Sequence, residues 1–128
     1  MKIPTMVKTK ISTDPSQDAQ RATVYNTVDT IEYAANAIVA RNILNKPTGT
    51  VTVLACDAGV VMEEKISAFD TLVHVLDGTL EVRIDRKLHR LMTGQCIIMP
   101  AHFRNLIRSE ERFKVLLTVI KSGYENSI

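Results

Sequence analysis

Between Gly59 and Ser109 the chain sets two glycine-punctuated blocks in succession, GVVMEEKISAFDTLVHVLDG and GQCIIMPAHFRN, each reading as a β-hairpin that closes on tight-turn residues. DTLVHVL and TLEVRID are strand-like runs separated by Asp77-Gly78, the dipeptide that most readily supplies the positive φ angles of a tight hairpin. In the second run Leu80, Val82 and Ile84 face one way and Glu81, Arg83 and Asp85 the other, so one face is core and one is wet. A turn at Asp85-Arg86-Lys87 leads to KLHRLM, and Thr93-Gly94 precedes the apolar CIIM, which Pro100 stops. RFKVLLTVIK is apolar on both faces and is expected to be a central or covered strand. Many short strands with turn chemistry between them mean a sandwich or a barrel.

The N-terminal half adds less. Lys46-Pro47-Thr48-Gly49 is a turn, and the alternation of TVTVLAC after it marks a half-buried strand. From Val24 to Arg41 the signals conflict and predict a short helical turn followed by a strand. Residues 1–22 are polar with little periodicity; Val7, Thr9 and Ile11 suit a short edge strand, and Asp14-Pro15 a turn or helix start. A length of 128 residues suits one domain. The expected organisation is an arm over 1–22, open to exchange in a dimer, and a single barrel over 23–128.

A net charge of +2 without a dominant block of one sign argues against a nucleic-acid protein. The local cluster Arg86, Lys87, His89 and Arg90 reads as the solvated face of a hairpin. MKIPTMVKTK lacks the apolar core of a signal peptide and no stretch approaches a membrane span, which predicts a cytoplasmic protein without a membrane partner. Cys56 and Cys96 are too few for a disulfide framework and are spaced unlike a zinc site; they read as reduced, largely buried thiols.

The two blocks resemble the small single-domain cupins, whose double-stranded β-helix (jelly-roll) barrels carry two motifs. Against the first, G(X)5HXH(X)3-4E(X)6G, the frame from Gly59 to Gly78 is kept, with Lys65 and Ser67 at the histidine positions and Thr71 at the glutamate. Against the second, G(X)5PXG(X)2H(X)3N, Gly94 and Pro100 are in place, with His102 at the glycine, Asn105 at the histidine and Ser109 at the asparagine. The resemblance covers about the last two thirds of the chain and implies an all-β fold. It also implies that the site where such proteins bind a divalent metal has lost all four ligands.

Those replacements are poor metal ligands. A lysine ligates only after losing its proton, which at pH 7 costs roughly 4 to 5 kcal/mol. A protonated one repels a cation by about 4 kcal/mol per unit charge at about 4 Å and an effective dielectric of about 20. Ser67, Thr71 and Asn105 offer neutral oxygens only, so no metal and no other cofactor is expected at this site. His102 could restore a ligand by swinging inward, as could Glu63 or Glu64; otherwise His102 is a rim histidine and the glutamates are solvated. His74 has the opposite parity to Thr71, Val73 and Val75 and should point away from the interior.

Three functions stay open. The first is a binding or regulatory module: Lys65, Ser67, Thr71 and Asn105, with His102 nearby, would present donors around one positive charge to a small anion or sugar acid. In the plain alternative Lys65 turns to solvent and the others satisfy one another or a water. The second is an enzyme, either a metal-dependent oxygenase or isomerase with displaced ligands, or a metal-free sugar-nucleotide epimerase. The epimerase would have only His102 and Lys65 for its base and acid, because Tyr25, Tyr33 and Tyr124 lie outside both motifs. The third is a homodimer in which the barrel is scaffold, paired through a sheet face with N-terminal strands exchanged as in small members of the family.

Overall fold

The computed structural model describes residues 8–11, 21–62 and 65–124, the first of these stretches as backbone. Glu63, Glu64, Asp14-Pro15 and most of the 1–22 arm lie outside the described residues. The strands are β1 (Lys8–Ile11), β2 (Ala37–Lys46), β3 (Gly49–Cys56), β4 (Lys65–Ile66), β5 (Asp70–Asp77), β6 (Thr79–Ile84), β7 (Lys87–Met92), β8 (Cys96–Met99), β9 (Arg104–Arg108) and β10 (Phe113–Ile120). Six form one sheet in the order β1-β2-β3-β10-β5-β8, and four form a second in the order β4-β9-β6-β7. Pairing is antiparallel except at the edge, where β1 runs parallel to β2. The result is an all-β jelly-roll barrel. Among the described residues no helix is long and apolar enough to cross a membrane.

Alternation decides what lies inside. In β5 Thr71, Val73 and Val75 are buried while Leu72 is exposed and His74 is half-buried on the other face. In β6 Leu80 and Val82 face in with them, and β10 contributes Phe113 and Val115, all fully buried. β10 sits between β3 and β5, the central place expected for a strand apolar on both faces. Its outer side is covered: the 3-10 turn Thr27–Asp29 leads to Ile31, which is 5% exposed and packs with Val53 and Ala55.

Polar contacts hold this covering segment down. Lys114 Nζ donates to the Val28 carbonyl at 2.7 Å, and Arg41 donates to that of Thr30 at 3.0 Å. The Tyr33 hydroxyl donates to Asp77 at 2.7 Å, under the cations of Arg112 and Lys114 at 5.2 and 5.0 Å from its ring. Burial and then the Asp77 carboxylate keep that hydroxyl protonated well above the usual tyrosine range. Asp57 accepts from the Asn36 N–H at 2.7 Å and from Arg112 Nε at 2.9 Å, and these donors hold its carboxyl below the usual range.

The glycine blocks fold differently from the expected hairpins. β4 pairs with β9, whereas β5 pairs with β10 and β8; β8 and β9 likewise lie in different sheets. Asp77-Gly78 is therefore a crossing from one sheet to the other, because β6 pairs with β7 and β9 and never with β5. Gly78 is needed there for its φ of +85° and for space: a Cβ would lie 2.4 Å from the Arg112 carbonyl oxygen. True tight hairpins occur at Pro47-Thr48, closing β2 on β3, and at Asp85-Arg86, closing β6 on β7 with Asp85 at φ +56°. The thiols also differ: Cys56 is buried as expected, but Cys96, on edge strand β8, is exposed.

Candidate functional site

Two chain crossings meet at one end of the barrel. The segment between β4 and β5 and the segment between β8 and β9 are tied together there: the His102 N–H donates to the Ser67 carbonyl at 2.7 Å, and the Ala101 N–H to Asp70 Oδ1 at 2.8 Å. The Asp70 N–H in turn donates to the Tyr124 hydroxyl at 2.7 Å, and the Tyr124 ring stacks at a tilt on Phe69, 5.8 Å between centroids. This bracing joins the turn that leads into Thr71 on β5 to the turn that leads into Asn105 on β9.

Lys65 and Asn105 are direct cross-strand partners in the β4–β9 pair. Buried Ile107 sets the inward parity of β9, so Asn105 faces in, and Lys65, opposite it, faces the same way. Asn105 is half-buried and Lys65 exposed. Thr71 comes from the facing sheet, 7% exposed, between Met99 and Val119 in register. Ser67 differs: its hydroxyl accepts the Phe69 N–H at 3.1 Å, so it shapes the rim turn. His102 is exposed in the turn before β9, at φ +71°. That left-handed backbone is what a glycine at this motif position would supply, and the histidine occupies it under strain.

The structure adds polar residues that the sequence reading passed over. Leu54 and Cys56 of β3 point into the core, and stepping back by twos puts Thr52 and Thr50 on the same inner face. Asn42 and Asn45 of β2 are their register partners, and Thr52 Oγ1 donates to Asn42 Oδ1 at 2.9 Å. Thr50, Val119 and Thr71 form one row across the sheet. The signal was present in TVTVLAC, where both threonines share parity with the cysteine. His89 is a second case: it pairs with Val82 and shares parity with buried Leu91, so it lies half-buried on the inner side, away from Arg90 on the outer side.

A transition metal does not fit these residues. The motif positions supply an ammonium, hydroxyls and an amide, while His74 lies on the outer face. Among the described residues no group of three or more His, Cys, Asp or Glu side chains could hold an ion. What the arrangement offers is one cation beside uncharged hydrogen-bonding groups over an apolar floor.

No protein-family profile and no curated protein matches the sequence. Solved structures do. A conserved protein of unknown function from Streptococcus pyogenes superposes with a TM-score of 0.78 at 26% identity, over 83% of this chain and 93% of that one. A cupin superfamily protein from Desulfitobacterium hafniense gives a TM-score of 0.74 at 20% identity, over 83% and 96%. A cupin 2 conserved barrel domain protein from Leptotrichia buccalis gives 0.73 at 28% identity, over 76% of this chain and 47% of that one.

Proposed function

We propose that this chain, a small cupin-fold domain, is a binding module whose barrel end takes a small hydroxylated anion of the sugar-acid class without a metal. The observation that carries the reading is the placement of Lys65 beside Asn105 on one sheet, across from Thr71 and the Thr50–Asn45 pair on the other. A carboxylate between them would take a charge-assisted bond from the lysine, stronger than a neutral hydrogen bond by about twofold. The amides and hydroxyls both donate and accept, so they suit ligand hydroxyls, which also do both. Catalysis would require a base and an acid aligned on one substrate, whereas His89 on β7, His102 in the turn before β9 and Lys65 on β4 share no hydrogen bond among the described residues. The fold itself leaves activity open, since one scaffold hosts many functions.

The test is calorimetry and thermal shift across uronic and aldonic acids, neutral sugars and inorganic phosphate. A sugar acid should stabilise the protein, a neutral sugar should not, and Lys65→Met should weaken binding by about tenfold to a hundredfold, as loss of a charged hydrogen bond implies. Equal affinity in Lys65→Met would end the lysine's role. A molar equivalent of iron, manganese or zinc in untagged protein would replace the reading with a metal-dependent one.

A further inference from the structure

The inner face of the four-stranded sheet carries a second lysine that the motif positions do not include. Buried Ile107, Val82 and Leu91 set the inward parity of β9, β6 and β7, and the register then joins Lys65, Asn105, Ile84 and Lys87 in one inward row. Lys65 and Lys87 are the ends of that row, on the edge strands β4 and β7. At a strand spacing of about 4.8 Å their Cα atoms lie about 14 Å apart. His89 follows two residues on along β7, on the same face and half-buried opposite Val82.

No carboxylate of the described strands answers Lys87 on that face. Those strands carry Asp70, Asp77 and Glu81, and each is engaged elsewhere: Asp70 with the Ala101 N–H, Asp77 with the Tyr33 hydroxyl on the outer face, and Glu81 with Arg108. Lys87 is exposed and makes no ion pair among the described residues. The opposite sheet is open to solvent at one point. Thr71 is 7% exposed and its hydroxyl makes no hydrogen bond among the described residues, yet no side-chain oxygen or nitrogen sealed from solvent there lacks a partner, so solvent reaches that hydroxyl. A lysine at each side, neutral polar groups between and no acid on the face favour a ligand that is negative at both ends. Apolar Ile84, between Asn105 and Lys87, suits the carbon chain that joins those ends.

We propose that Lys87, together with His89, is a second acid-binding pole, and that the ligand is a sugar acid with an acidic group at each end of its carbon chain. An aldaric acid has that form, as does an aldonic acid phosphorylated at its far end. The proposal rests on the sugar-acid reading at Lys65 and names the member of that class the site selects. The far acid group takes a charge-assisted hydrogen bond from the Lys87 ammonium and another hydrogen bond from the His89 imidazole N–H.

The experiment is calorimetric titration of the full chain with glucarate, gluconate and gluconate 6-phosphate, in the wild type and in Lys65→Met, Lys87→Met, His89→Leu and Arg90→Gln. The wild type should bind one of the two diacids at least about tenfold more tightly than gluconate: glucarate where the second pole takes a carboxylate, the phosphate ester where it takes a phosphate. Lys87→Met should remove that preference and keep gluconate affinity within about twofold, His89→Leu should reduce the preference, and Lys65→Met should weaken all three ligands. Arg90→Gln removes a charge from the outer side of the same strand and should retain the preference, which separates contact from long-range attraction. Thermal melts report whether the variants fold, and Lys87→Gln repeats the test with a second side chain. Gluconate bound as tightly as both diacids, a preference that survives in folded Lys87→Met, or one lost equally in Arg90→Gln would overturn the second pole and leave the reading at Lys65 in place. Failure of all three ligands to bind would remove both.

Discussion

At Gly78 two demands fall on one residue. Its φ of +85° is one that a side chain opposes by about 1 to 2 kcal/mol, and its missing Cβ leaves room for the Arg112 carbonyl oxygen, which a methyl group would meet at 2.4 Å. The obstacle is backbone, at the residue that leads into β10, and cannot swing aside. Gly78→Ala should therefore lower unfolding free energy by about 3 kcal/mol, the strain and the overpacking together. Gly59 is the control: its φ is +76° but nothing lies within 4 Å of its would-be Cβ, so Gly59→Ala should cost about 1 kcal/mol. Urea unfolding of both separates space from torsion, and equal losses would show that the close approach at Gly78 is relieved without penalty. At His102, φ +71° with the side chain exposed, the chain carries the torsional strain without the crowding.

At the level of strands, the sequence was most readable where a turn and an alternation agreed. Pro47-Thr48 and the TVTVLAC run gave β3 its place, and the doubly apolar RFKVLLTVIK had to be central because both its faces needed cover. Asp77-Gly78 misled because positive φ is demanded equally by a hairpin and by a crossing between sheets, and only long-range pairing tells them apart. Thr50 and Thr52 were legible as strand residues, yet their part in the barrel lining needed the register that sets Thr50 in one row with Thr71. Ile31 shows the limit from another side: Val24, Val28 and Ile31 fall at helical spacing, yet of the three only Ile31 is buried, because Val53 and Ala55 on the outer sheet face require a lid there. Ile31→Ala should cost about 3 kcal/mol by loss of buried methylenes, whereas Ile66→Ala, at a side chain 61% exposed, should change stability by less than about 0.5 kcal/mol. Urea unfolding of the two variants is the measurement; similar small values for both would mean that the covering segment contributes little to holding the fold.

The molecule as a whole closes two sheets over a core with a titratable group in it. Cys56 is fully buried between Ile38 and Phe113 in register, among aliphatic side chains, and burial pushes its thiol up to about 12 from about 9. The thiol is neutral below its unfolded value, so folded and unfolded chains hold the same proton there and stability does not depend on this group. Above about 9 the unfolded chain ionises and the folded one does not, so the unfolded state is favoured increasingly until the folded thiol itself ionises near 12. Stability present at neutral pH is thus lost across that window, with a slope of at most about 1.4 kcal/mol per pH unit from this one residue. Tyr33, held protonated on the outer face, adds a loss of the same sign, which makes the alkaline limb of the wild type steeper than Cys56 alone would make it. Cys56→Ala changes baseline stability through the small cavity it leaves, so the informative quantity is the slope of unfolding free energy between about pH 9 and about pH 11. That slope should fall in Cys56→Ala. An unchanged slope in Cys56→Ala would mean that solvent reaches the centre of the barrel, and with it the apolar floor assigned to the binding end would fail.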